Sequence, residues 1–187
     1  MATDVSIGDL IRTTDGGDRG AAASLFTALY TELHTIAERQ LRVRGPELSL
    51  GTTTLLHETY LNIAEREGVR FASRSHFLGY AARAMRGLTI DYVRRRQAKK
   101  RGGEFHITST GNEVASNDQP AEPLERLSSA LDTLAESAPD LAQLVDLHFF
   151  CGFSFAELAE LQGVSERTIS RHWRNARLLL HRTMQDM

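Results

Sequence analysis

Covalent and conformational staples are scarce in this chain: one cysteine, Cys151, and four prolines. A single thiol excludes an internal disulfide and fits a reducing compartment. His34, His57, His76, His106, His148, His172 and His181 are scattered, and none falls at zinc-ligand spacing with another or with the cysteine. No metal and no other cofactor is expected. His57-Glu58 lacks the second histidine of the zinc-protease helix, and no glycine-rich phosphate cradle is present. These absences weigh against an enzyme. No apolar run is long enough to cross a bilayer, and the charged-then-apolar start of a secretory signal is missing. The expectation is a soluble, cytoplasmic chain without a membrane partner. Aromatic residues are only 7% of the total, whereas Ala, Leu, Arg and Glu are plentiful, a mixture that favours helices.

The apolar periodicity is helical throughout. A short helix is expected over 6–14, closed by Asp15-Gly16-Gly17. Asp18 is placed to cap the next, where Leu25, Leu29, Leu33, Ile36, Ala37 and Leu41 run at helical spacing to about Arg44. Gly45-Pro46 breaks it. A third helix starts at Thr52 to Thr54 and runs to about Arg66. A fourth, capped by Ser75, carries Phe77, Leu78, Ala81, Ala82, Met85, Leu88, Ile90 and Val93 into the basic run that ends at Arg101. Glu104 to Glu122 is rich in Ser, Thr, Asn, Gly and Asp and has no Lys or Arg, which reads as an acidic, extended linker. Helices over 123–136, 139–150, 154–162 and 165–184 follow, the first opened by Pro123. The expectation is an all-α chain of two helical domains, 1–101 and 123–187, joined by a flexible acidic linker over 102–122.

The formal net charge of −2 conceals segregation. From Arg70 to Arg101 ten basic residues face one acid, Asp91. From Pro123 to Gln162 seven acids face Arg126 alone, and from Gly163 to Met187 five arginines face two acids. Two basic faces on a nearly neutral chain point to a polyanion held at two places; without motif support they would read as solvated helix faces.

Motif support exists at both. Phe155 to Trp173 has helix-turn-helix grammar. Leu158, Ala159 and Leu161 pack inward, Gly163 is suited to a left-handed helix end, Val164 plugs the corner, and Ser165 caps the next helix. Ile169, Trp173, Ala176 and Leu180 then form the inner face. Arg167, Thr168, Ser170, Arg171 and Arg174 are left outward, as a helix entering the major groove requires. The plainer reading is an ordinary helical hairpin. In the first domain Arg83, Arg86, Arg94, Arg95 and Arg96 are placed to meet phosphates, and Tyr80 and Tyr92 to stack on bases. Phe77 reads better as core, and Asp91 as a group that orients neighbouring arginines.

The stretch from Phe77 through Ile90-Asp91 to Arg94-Arg95-Arg96 resembles the promoter-reading helices of the extracytoplasmic-function (ECF) sigma factors. Thr54-Leu-Leu-His-Glu-Thr-Tyr-Leu61 looks like the preceding polymerase-binding helix of that family, and the C-terminal half resembles its domain for the minus-thirty-five element. The likeness spans about residues 5–184 in the family's order. It implies that 1–101 is region 2, which binds polymerase and melts the minus-ten element, and that 123–187 is region 4. Core RNA polymerase and promoter DNA are the implied partners, with Leu55, Leu56, His57, Glu58 and Leu61 as the implied polymerase contacts. Closest is a subgroup with a related His-Glu helix and an Arg-rich tract ending Lys-Arg-Gly-Gly, matched here by Lys100-Arg101-Gly102-Gly103.

Two departures stand out. Gly87 occupies a position where many members have Asn, which bears on the base pocket. Where most members open the polymerase-binding helix with Asp-Ala-Glu-Asp, this chain has Gly51-Thr52-Thr53-Thr54. The threonines are either helix caps or acceptors of a phosphate that restores the missing charge at a helix start. Thr53 is the preferred acceptor and Thr54 the alternative, which would make a Ser/Thr kinase a further partner. A different class, a helix-turn-helix regulator that never joins polymerase, explains the C-terminal half but not the Arg-rich N-terminal one.

Overall fold

The structure is a computed structural model that describes residues 19–43, 50–64, 71–102 and 121–186. The expected helix over 6–14, the Asp18 cap, the Gly45-Pro46 break and residues 103–120 of the linker lie outside these. Every described element is helical: α1 (Arg19–Ala28), α2 (Tyr30–Val43), α3 (Thr52–Ala64), α4 (Arg74–Gly102), α5 (Ala121–Ser137), α6 (Pro139–Val145), a π-helical turn (Asp146–Phe150), α7 (Phe155–Gln162) and α8 (Glu166–Gln185). The all-α expectation holds.

The single helix expected from Asp18 to Arg44 is divided at Leu29 into α1 and α2. Hydrogen bonds from Leu29 N to Leu25 O and from Leu33 N to Leu29 O carry the ladder across the joint. The cap of α4 is Ser73 rather than Ser75: Ser73 Oγ accepts from His76 N at 3.2 Å, three residues on, where an N-cap acceptor belongs. Ser75 Oγ lies 2.8 Å from Ser73 Oγ. Helix α5 begins at Ala121 and places Pro123 within its first turn, where a missing N–H costs no intrahelical bond. Pro139 opens α6. The expected 139–150 helix is α up to Val145 and π beyond it, closed by Cys151 N donating to Asp146 O at 3.2 Å.

Leu25, Leu33 and Ile36 pack with Leu55 and Ile63 of α3 and with Phe77, Ala81 and Met85 of α4, all within a few per cent of full burial. The same core continues through Ala130, Leu131, Leu144, Leu147 and Phe150 into Leu158, Ile169 and Ala176. Helix α4 is the element shared by both halves: it packs on α2 and α3 on one side and on α5, α6 and the π turn on the other. Two threonines within this core satisfy their hydroxyls on the preceding turn, Thr59 to Leu55 O at 2.6 Å and Thr89 to Met85 O at 2.7 Å. None of the described helices is long and apolar enough to cross a membrane.

Candidate functional site

The C-terminal hairpin is built by local chemistry. Ser154 and Glu157 form a reciprocal capping box at the start of α7: Ser154 Oγ accepts from Glu157 N at 3.2 Å, and Ser154 N donates to Glu157 Oε2 at 2.8 Å. Gly163 ends the helix at φ 67°, a left-handed conformation that penalises a Cβ. Ser165 caps α8 by accepting from Thr168 N at 3.2 Å. The inner face of α8 is Ile169, Ala176 and Leu180, all buried, with Trp173 half-buried edge-on to His148 at 4.5 Å. Val164, expected to plug the corner, is 38% exposed. With Gly163 already turning the chain, the corner closes without it.

The outward face of α8 follows from that register. Arg167, Arg171 and Arg174 are exposed, and Thr168 and Ser170 are half-buried between them. None of the three arginines has an ion-pair partner among the described residues. A capped helix start carries unsatisfied N–H groups and the positive end of the helix dipole. This end of α8 thus combines free guanidinium groups with hydroxyl donors on one convex ridge, the arrangement that meets phosphates and base edges.

Helix α4 divides the arginines assigned to it. Arg94 and Arg95 are exposed and Arg96 half-buried near its end, with Asp91 3.6 Å from Arg94. Arg83 and Arg86 face the other half of the molecule. Arg83 Nη2 is 3.0 Å from Asp132 Oδ1 of α5. Arg86 is only 1% exposed and uses all three of its nitrogens. Its Nε lies 2.7 Å from Asp146 Oδ1, its Nη2 3.1 Å from Asp132 Oδ1, and its Nη1 donates to Ser128 O at 3.1 Å and to Ser128 Oγ. Burial pushes the Asp146 carboxyl up to about 6 against the pull of Arg86. Phe77 is fully buried, edge-on to Phe71 at 4.9 Å. Tyr80 is half-buried, and Gly87 lines, with Asn62, Tyr80, Arg83, Arg86 and Asp132, a cleft of about 340 Å³ between α4 and α5.

On α3, Leu55 and Leu56, two of the expected polymerase contacts, are buried in the core of this unpartnered chain. The surface this helix offers consists of Thr53, Thr54, His57, Glu58 and Leu61, all exposed. No threonine hydroxyl of the Thr52–Thr54 cluster caps α3 among the described residues.

Sequence reading missed Asp132, Asp146 and Glu157 as partners of basic residues. Arg39 of α2 donates to Glu157 Oε1 at 2.7 Å, with its guanidinium 4.5 Å from the Phe153 ring centre. That bond and the Ser154 backbone hold Glu157 down to about 2. The Glu157 capping role was visible three residues after Ser154; its tie to Arg39 had no local signal. The buried Cys151 thiol is pushed up by the same desolvation that raises Asp146.

No curated protein matches the chain. A family model described as "ECF sigma factor" matches residues 4–186, covering both the α1–α4 half and the helix-turn-helix half whose outward arginines have just been placed. The chain therefore belongs to the ECF sigma factor family, whose members act in transcription initiation.

Proposed function

We propose that this sigma factor joins core RNA polymerase through the exposed face of α3 and holds promoter DNA at two places, at α4 and at α8. Residues 1–101 act as region 2 and residues 123–187 as region 4. On α8, Arg171 and its neighbours Arg167, Thr168, Ser170 and Arg174 read the minus-thirty-five element. On α4, Arg94, Arg95 and Arg96, with Arg83 and Arg86 when these are accessible, hold the backbone of the minus-ten element. The observation that carries this reading is the unpaired arginine ridge at the capped start of α8 within a chain matching the family over nearly its whole length. Reconstituted transcription with core polymerase tests it. A promoter-dependent transcript is expected. DNA binding without polymerase capture would instead favour a helix-turn-helix regulator.

The finer part of the proposal concerns control. Thr53 and Thr54 stand exposed in the first turn of α3, beside His57, Glu58 and Leu61. The resemblance puts acidic residues there, and this chain has none. Phosphorylation by a Ser/Thr kinase supplies about −1.5 to −2 charges per site at neutral pH, next to a helix start that favours an anion. One exposed ion pair is worth only about 0.2–1 kcal/mol, but a phosphate facing several cations gains more through charge-assisted bonds. The cytoplasm is the compartment where these partners meet. Thr53→Ala combined with Thr54→Ala is expected to abolish activity in cells, and Thr53→Glu to restore part of it. A doubly substituted chain that captures polymerase and transcribes as well as the phosphorylated wild type would end the switch idea.

A further inference from the structure

Helices α7 and α8 begin with the same device and finish it differently. Each is capped by a serine, Ser154 or Ser165, whose hydroxyl accepts from the N–H three residues on. At α7 that third residue is Glu157, and its carboxylate returns to Ser154 N at 2.8 Å. Glutamate or glutamine is the usual choice there. At α8 it is Thr168, whose Oγ1 lies 3.0 Å from Ser165 Oγ. The cap that α7 closes with a negative charge is closed on α8 by a neutral hydroxyl. A carboxylate at this position would stand beside Arg167 and Arg171, both exposed, and would cancel part of the positive field at the helix start.

Cap duty decides what Thr168 has left to offer. With Oγ1 turned to Ser165, the other heavy atom at the tip of the side chain is the γ-methyl, on a residue that stays partly exposed among the arginines. Residues three apart share a helix face, with about 5–6 Å between their Cβ atoms, so Thr168 and Arg171 look the same way. Successive base pairs are about 3.4 Å apart. The methyl and the Arg171 fork therefore address base pairs one or two steps apart. In the major groove the apolar counterpart of a methyl group is the C5-methyl of thymine.

We propose that Thr168 is a specificity-determining residue that selects thymine by methyl-to-methyl contact, within two base pairs of the pair read by Arg171. The proposal rests on the reading of α8 as the helix that enters the major groove.

The test begins with tight-binding duplexes selected from a random pool by the full chain. Each thymine of the selected site is then replaced singly by uracil, which removes only the C5-methyl. The wild type is expected to lose about fourfold in affinity at one position, the effect of leaving one methyl group out of an apolar contact. That position is expected within two base pairs of the one where Arg171→Ala relaxes sequence preference. Thr168→Ser keeps the hydroxyl and lacks the methyl; it should bind the thymine duplex about fourfold more weakly and be indifferent to uracil. Thr168→Val keeps the methyl and lacks the hydroxyl, and should still discriminate; the serine variant carries the test alone if valine disturbs the cap. A selected site where no uracil weakens the wild type overturns the proposal. So does undiminished discrimination in Thr168→Ser, or its absence in a folded Thr168→Val. A pool that yields no preferred sequence removes the reading of α8 and the proposal together. A preferred site that depends on Arg171 but holds no thymine coupled to Thr168 removes the proposal alone.

Discussion

Arg86 and Arg171 carry the same side chain in opposite surroundings, and the same truncation should be read out differently at each. Arg171 is exposed on α8 without an ion-pair partner among the described residues. Arg171→Ala should leave folding untouched and weaken specific promoter binding by about 1–3 kcal/mol if the side chain bonds a base edge in bidentate fashion. Titration of the full chain against promoter and scrambled duplexes checks this; equal losses on both would reassign the residue to a phosphate. Arg86→Ala leaves Asp146 buried without its cation. Removing one partner of a buried pair costs about 3–5 kcal/mol, which urea denaturation would register as a lower midpoint. The α8 arginines were legible because turn, cap and inner face fix which way that helix looks. The burial of Arg86 was not, since it sits in a basic run and its carboxylate partners lie on helices distant in sequence. Leu55 and Leu56 show the same limit from the apolar side: a motif singles them out on α3, but only packing says which face of that helix is spent on the core.

At the level of elements, caps and glycines set boundaries that could be read to within a residue or two: Ser154 and Glu157 for α7, Gly163 for its end, Ser165 for α8. The π turn escaped, because apolar spacing over so few residues does not separate it from α-helix. Two carboxylates at the junction of the halves titrate in opposite senses. Glu157 is held down to about 2, so its contribution is present above its ordinary value of 4.5 and is lost as pH falls toward 2. Asp146 is pushed up to about 6. Its contribution is full below its ordinary 3.8 and is lost as pH rises through about 6. Between these limits both favour the folded chain. Glu157→Gln should flatten the acid limb of a plot of melting temperature against pH and leave the limb near pH 6 in place. An unchanged acid limb would show that other carboxylates govern it.

For the molecule as a whole, a net charge of −2 is a poor guide to its affinity for DNA, because acidic and basic stretches lie on different surfaces or neutralise each other across the junction. Replacing Arg94, Arg95 and Arg96 together by alanine should lower the log–log salt slope of promoter binding by about 0.9 for each phosphate that is no longer neutralised. An identical slope would make the run a solvated helix end. The π turn at Asp146–Phe150 has a consequence at this largest scale. A wide turn holds one residue more than an α-helical path would use. With that residue excised the backbone would wind as ordinary α-helix, and everything beyond it would swing by about 100° about the local axis. The azimuth at which the α8 ridge is hung relative to α4 is therefore set by residue count, and a single-codon deletion there should re-aim the surface proposed to read DNA while leaving each of its side chains unchanged.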